Sequence, residues 1–428
     1  MKEDFLHYVW KFQKFTTTQL QTTEGEPVKI MSVGQHNFDA GPDFFNAKIS
    51  VANQIWAGNV EIHLKSSDWY AHHHEKDRAY DSVILHVVWE HDGEVFRKDN
   101  SPIPTIEIKN IVDVVTLQNY RKLFSKKQRW IPCEHEFSHV SDFTINNWLE
   151  RLYFERLQQK SELILKELGV SNNHWEAVLF NLLAKNFGLK VNGAAFYSLA
   201  QSLDFSTVKK CAEKPLELEA LFLGQSGLLE GINEDGYFQE LQKTYRYVSH
   251  KFQLTNDAVI APKYFRLRPP NFPTIRLSQL AMLYKEQKQL FSKIISTHEK
   301  EIFYTIFSVT ASKYWDTHYN FGVISAKRKK KLTTAFIDLL LINTVIPLQF
   351  SYAQYLNKDI SEELIQLASS IAKEENSVIK KFNVLKPIAK SALDSQGLLQ
   401  LKKEYCDNTR CLHCAVGNSI LGKKQSAL

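Results

Sequence analysis

The chain has 428 residues, with 53 Lys+Arg against 47 Asp+Glu and a formal charge of +6. With 44% hydrophobic and 23% charged residues it is globular rather than disordered, and its length predicts two or three domains. The mild basic balance permits nucleic acid or another anionic partner without requiring one, and five cysteines are too few for a disulfide scaffold, so a cytoplasmic, reducing location is the default.

Residues 2–15 set Phe5, Tyr8, Val9, Phe12 and Phe15 at helical spacing, which predicts an amphipathic opening helix. Its early acids and lack of a small-residue cleavage site exclude a signal peptide. From 28 to 110 the pattern turns to short β-rich runs: VKIMSV, AKISVA, QIWAGNVEIHLK, SVILHVVWEH, EVFRK and PTIEIKN. Gly34, Gly41-Pro42 and Gly58 punctuate them, and Asp92-Gly93 between two runs predicts a hairpin. From 111 onward the period is helical. TINNWLERLYFERLQQKSELILKELG reads as one long helix, with Asp142 or Thr144 as its cap and Gly169 as its stop. AFIDLLLINTVIPL, 335–348, carries Asp338 and Asn343 and meets Pro347, so it reads as a buried helix and no membrane partner is expected. No fixed-period repeat is evident. The fold class is therefore α+β: a mixed α/β sheet domain at 1–115, a basic connector at 116–140 (RKLFSKKQRWIPC), a larger all-α domain at 141–400 and a Cys-rich tail at 401–428.

GPDFFNAKI, 41–49, followed by GNVEIHLK, 58–65, places Asp43 before one strand and Glu61, His63 and Lys65 on one face of the next. Carboxylates so placed hold a divalent metal such as Mg²⁺ or Mn²⁺, and a lysine orients water near a phosphate. The order resembles the PD-(D/E)xK nuclease superfamily, with one departure: the position two before Lys65 is His63, not an acid. The enzyme reading requires Asp43, Glu61, His63 and Lys65 to converge in an accessible cleft. The bland alternative is a polar sheet face. Glu107-x-Lys109 is a second acid-x-Lys, read as a charged strand edge.

His72, His73 and His74 follow, and three adjacent histidines cannot all point one way. One or two beside Glu61 and His63 would complete a site, while the run as a whole reads as loop surface. His86, inside the apolar VILHVVW, reads as a satisfied core histidine.

Cys406, Cys411 and Cys414 form C-x4-C-x2-C with His413 between, and Cys133, His413 or His135 could add a fourth ligand. Thiolates so spaced suit Zn²⁺ or an iron–sulfur cluster. Arg266, Arg268 and Arg276 surround three prolines, and a stiff loop of guanidiniums could clamp phosphate or carboxylate, with internal ion pairing as the alternative. KRKKK, 327–331, reads as a solvated face that could attract nucleic acid.

GPDFFNAKI, GNVEIHLKSSDW with the histidines after it, YDSVILHVVWEHDG, RWIPCE, LEALFLGQSGLL, RLRPPNFPTIRLSQLA and RCLHCAVG together resemble a bacterial family, domain of unknown function 2851, over nearly the whole chain. The resemblance implies a bacterial cytoplasmic protein and carries no site residues over. The residues themselves lead to a metal-dependent, nuclease-like phosphodiester hydrolase or nucleic-acid-processing protein. In that reading Asp43 and Glu61 bind metal, His63 is third ligand or base, Lys65 polarises the phosphate, and Arg266, Arg268 and Arg276 hold the backbone. The other class is a non-catalytic binding or scaffold protein with a structural cysteine metal site.

Overall fold

The computed structural model describes residues 1–125 and 129–423, apart from the side chain of Pro215. Residues 126–128 of the expected connector and 424–428 of the expected tail lie outside the described residues. The fold is α+β: a mixed sheet in the N-terminal region, then many helices. Two compact units make up the chain, one of Met1–Trp148 with Leu401 onward, the other of Leu149–Gln400.

The first unit is built on a six-stranded sheet. Helix α1 (Glu3–Lys11) buries Phe5, Leu6, Tyr8, Val9 and Trp10, as its apolar spacing predicts, and packs on the sheet. Strands β1 (Val28–Ser32), β2 (Gln35–His36), β3 (Phe44–Val51) and β4 (Gln54–Lys65) pair antiparallel, with β3 next to β4 and to β1 and β2. Strand β5 (Val83–Glu90) then pairs parallel with β4, and β6 (Thr105–Glu107) parallel with β5. Parallel pairing needs a crossover. Residues 66–82 provide it, with the short helix α2 (Asp68–Ala71) and two 3₁₀ turns, His74–Lys76 and Arg78–Tyr80. Gly58 makes the close approach of β4 to β5 feasible, because a Cβ there would lie 2.5 Å from both Ser82 O and Ile84 Cγ2.

The hairpin expected at Asp92-Gly93 does not form, because β5 takes β6 as its other neighbour. Asp92 has other work: its carboxylate accepts from Ser66 Oγ at 3.0 Å, Ser67 N at 2.9 Å and Ser67 Oγ at 2.8 Å. These bonds fasten the start of the crossover. EVFRK forms no strand beyond a bridge from Phe96 to Pro102.

The second unit is helical, around a core that includes Phe180, Phe187, Phe196, Phe222, Phe303, Phe307 and Trp315, all fully buried. The long helix runs Asp142–Val170; Ser141 Oγ, one residue before it, accepts from Thr144 N at 3.1 Å, and Gly169 lies inside it. Thr334–Tyr355 is long and apolar enough to cross a membrane by length and composition, with mean hydropathy 1.4, yet 67% of that window is buried inside the protein. It does not stop at Pro347. A π-helical stretch, Leu341–Val345, precedes Ile346–Tyr355 and lets the chain pass the missing proline N–H.

Candidate metal centre

Asp43 is set by the turn between β2 and β3. Asn37 Nδ2 donates to the carbonyls of Asp39 (3.0 Å), Ala40 (3.3 Å) and Pro42 (3.1 Å), and Asn37 N donates to Asp43 O at 2.7 Å. The Asp43 carboxylate then reaches across to β4, where its Oδ2 accepts from Ile62 N at 2.9 Å. In return Asp43 N donates to Glu61 Oε2 at 3.2 Å. The acid pair that the fold creates is thus Asp43 with Glu61, and the residue two beyond Glu61 is His63.

Glu61 and His63 alternate onto one buried face of β4, at 4% and 1% exposure. Their neighbours come from the crossover. Trp69, fully buried against Val83, Val95 and Ile103, anchors it. His73 adopts a left-handed φ of 61°; His72 before it stays exposed, while His74 after it is half-buried. His72 Nδ1 lies 3.1 Å from His63 Nε2. His74 Nε2 lies 3.3 Å from Glu61 Oε1, and His63 Nε2 lies 3.5 Å from the same oxygen. The His74 ring stacks on Tyr80 at 3.8 Å.

Among the described residues, His63, His72 and His74 are the one set whose metal-ligating atoms all lie within 4.8 Å of one another. Behind them His86, fully buried on β5, meets His63 Nδ1 with its Nε2 at 2.8 Å. When His63 Nδ1–H donates in that bond, the lone pair of Nε2 faces His72, His74 and Glu61, which is the tautomer a metal requires.

The electrostatics follow from burial. Glu61 is pushed up to about 9, first by burial and then by the charge of Asp43. His63 is driven down to about 2 by burial and the surrounding imidazoles, and His86 down to about 3 by burial. Burial thus favours a protonated Glu61 and neutral His63 and His86 in the absence of a cation.

Helix α1 adds a second group. Its Glu3 and His7 are one turn apart, and His7 Nε2 lies 3.3 Å from Asp43 Oδ2. Burial opposes charge on His7, but the Asp43 hydrogen bond and charge outweigh it and raise its pKa. Glu3 is raised to about 7 by burial and by Asp43. The sequence reading overlooked these two. The signal was there: an i, i+4 polar pair on a helix whose other face is apolar.

Lys65 does not join the others. It ends β4, 56% exposed, with Nζ 3.9 Å from Asp92 Oδ2 and its N–H bonded to Asp68 Oδ2 at 2.9 Å. The convergence of all four in an accessible cleft is not found: Glu61 and His63 meet at 3.5 Å and are buried, Asp43 reaches Glu61 through its backbone N–H, and Lys65 stands apart. Glu107 accepts from His91 N at 2.8 Å, and Lys109 pairs with Glu90 at 2.9 Å on the sheet's rim.

The arginines belong to the helical unit. Arg276 is buried, donating to Gln279 Oε1 at 2.9 Å and Asn271 Oδ1 at 2.6 Å over the ring of Phe336. Arg266 and Arg268 are exposed. Within the basic run, Lys330 is buried and donates to Asp316 O at 2.9 Å. Cys133, Cys411 and Cys414 are buried and Cys406 half-buried in the first unit, whereas Cys211 is buried in the helical core.

Residues 3–377 match the family model described as "Protein of unknown function (DUF2851)". The match includes every residue of the histidine–carboxylate cluster and Cys133, and it ends before Cys406. Comparison with curated proteins and with solved structures finds no match. With the family model covering most of its length, this chain belongs to the DUF2851 family.

Proposed function

We propose that the protein is a divalent-metal-dependent hydrolase of phosphodiesters, with its metal held by His63 Nε2, His72 Nδ1, His74 Nε2 and Glu61 Oε1. One observation carries the reading: His63, His72 and His74 hold ligating nitrogens within 4.8 Å of one another, and Glu61 Oε1 lies 3.3 Å from His74 Nε2 and 3.5 Å from His63 Nε2. Three imidazoles and a carboxylate suit Mn²⁺ or Zn²⁺ better than Mg²⁺, which prefers oxygen. Such an ion supplies Lewis-acid polarisation of a phosphoryl oxygen and of a water.

The chain's own groups take the remaining roles. His86 fixes the His63 ring. Asp43 holds the Glu61 strand through reciprocal backbone bonds and keeps His7 in reach as a proton carrier. Asp43 before one strand and Glu61 on its antiparallel neighbour support a nuclease-like substrate, as does the net charge of +6. His63 stands two after Glu61, where the nuclease pattern has lysine, so the site as read here does without Lys65.

The test is cleavage of single- and double-stranded DNA and RNA with Mn²⁺, Zn²⁺ or Mg²⁺ by the wild type, His63→Ala and Lys65→Ala. Cleavage that needs metal, is lost in His63→Ala and is largely kept in Lys65→Ala is the expected result. Absence of metal-dependent cleavage above an empty-vector preparation overturns the reading, and metal binding without hydrolysis leaves a binding or scaffold protein.

A further inference from the structure

The helical unit holds a cavity that the histidine centre does not use. Its volume is about 300 Å³, at the lower end of the range of small-molecule sites. Four helices frame it: Trp175–Phe187, Phe205–Cys211, Pro273–Glu286 and Leu290–Ile295. A short turn joins the last two, in which Gln289 takes a left-handed φ of 56° and Lys293 Nζ donates to Gln287 Oε1 at 2.8 Å. That turn sets the facing ends of both helices at the cavity, Tyr284 and Lys285 from one, Leu290 and Phe291 from the other.

The walls are apolar. Leu179, Phe205 and Leu290 are buried, and Phe291 meets Tyr352 edge to face with ring centroids 5.2 Å apart. The Phe205 and Tyr284 rings also meet edge to face, at 5.9 Å. Rings held by other rings keep the cavity pre-formed, and such walls suit an apolar body.

Two polar groups of the wall have no protein partner. Tyr284 is 8% exposed, and its hydroxyl is buried with no hydrogen-bond partner among the described residues. Buried phenols usually find one, because a dry hydroxyl costs free energy. Lys285 comes next, half-buried, and its ammonium makes no ion pair or hydrogen bond among the described residues. The other charges at the cavity are balanced or solvated. Lys209 pairs with Glu176 at 3.5 Å, so that pair adds no net charge. Glu213 and Lys288 are exposed, opposite in sign and screened by water. The unbalanced charge drawn out of water is therefore the Lys285 ammonium. A neighbouring cavity, which shares Phe205 and Lys209, differs in this respect. Its Glu167 is already bonded, accepting from Asn181 Nδ2 at 2.6 Å and from Tyr197 OH.

We infer that the helical unit binds a small organic anion, a carboxylate on an aromatic or aliphatic body. The body lies between Leu179, Phe205, Leu290 and Phe291, and the carboxylate takes the Tyr284 hydroxyl and the Lys285 ammonium. A carboxylate only accepts, so it satisfies a free phenol and a free ammonium at once. The site lies wholly within Leu149–Gln400 and needs neither a metal nor the histidines.

The experiment is calorimetric titration of the full chain with benzoate, 4-phenylbutyrate and octanoate, each beside its uncharged amide. Chelator is present throughout, so that an ion at the histidine centre takes no part. Saturable one-to-one binding of at least one acid is expected, with its amide weaker by about tenfold or more. Lys285→Met should weaken that acid about tenfold or more, and Tyr284→Phe about fivefold. Lys285→Arg keeps the charge and should keep most of the affinity, which separates a lost charge from a lost fold. No saturable binding of any of the three acids, amides that bind as tightly as their acids, or equal affinity in Lys285→Met and wild type overturns the proposal.

Discussion

Each unit buries a glutamate, and the two are kept in opposite ways. Glu219 of the helical unit, 2% exposed, is ringed by committed donors: Trp315 Nε1 at 2.5 Å and Ser312 Oγ at 3.1 Å to Oε1, and Tyr237 OH at 3.0 Å to Oε2. Glu61 of the sheet unit, 4% exposed, receives one backbone N–H and otherwise faces imidazole nitrogens. Burial raises both carboxyls. Indole, phenol and serine hydroxyl groups can satisfy a carboxylate but cannot bind a cation well beside it. Imidazoles can turn lone pairs toward a shared ion. Burial alone therefore does not mark a site; the chemistry of the surrounding atoms does.

The largest expected effect breaks this comparison or upholds it. Glu219→Leu strands the Trp315, Tyr237 and Ser312 donors and is expected to cost about 3 kcal/mol or more of stability. Glu61→Leu, in protein stripped of metal, removes a buried carboxyl that burial already penalises and is expected to be neutral or stabilising. Urea denaturation of both variants in chelator reads the two signs. Equal destabilisation would show that Glu61, too, is simply a core bond.

Next in size is metal affinity. His74→Ala removes one of the three histidines of the proposed site, and Mn²⁺ or Zn²⁺ affinity, measured by competition with a fluorescent chelator, is expected to fall about 100-fold or more. His86→Phe keeps the buried ring volume but frees His63 to rotate, and a loss of about 10–100-fold is expected. His86 Nδ1 has no hydrogen-bond partner among the described residues, so phenylalanine breaks no other bond of that ring. Unchanged affinity in His86→Phe would remove its positioning role.

The sheet runs and the alternation of Glu61 with His63 were legible, because period two is a local property of sequence. What escaped was set by tertiary contact. Lys65 shares the face by alternation, yet β4 ends there and Asp92 draws it away. His72 and His73 are exposed, as a loop surface should be, but the left-handed turn at His73 leaves His72 and His74 both within reach of His63 or Glu61, and nothing in a run of three histidines announces that turn. His86 looked like a core residue, and it is buried as one; its bond to His63 depends on β4 and β5 pairing in parallel register, a tertiary contact that no local signal gave.

The smallest effect concerns the helical unit's own buried cation. Lys160 Nζ donates to Ile342 O at 3.3 Å, Asn343 Oδ1 at 3.2 Å and Gln396 Oε1 at 3.4 Å, all neutral acceptors, two of them in or beside the π-helical stretch. Burial, and then Arg156, lowers its pKa from 10.5 to about 7. The folded value lies below the unfolded one, so Lys160 favours folding fully only above pH 10.5, and that contribution is lost as pH falls toward 7. Stability should rise across that window by an amount on the order of 1 kcal/mol after relaxation of the site. Lys160→Met should flatten the rise, read as urea midpoints at neutral and at alkaline pH. If the two proteins keep parallel profiles, the ammonium is solvated, and the helical unit does not hold its polar groups as dry, fixed bonds in the way Glu219 implies.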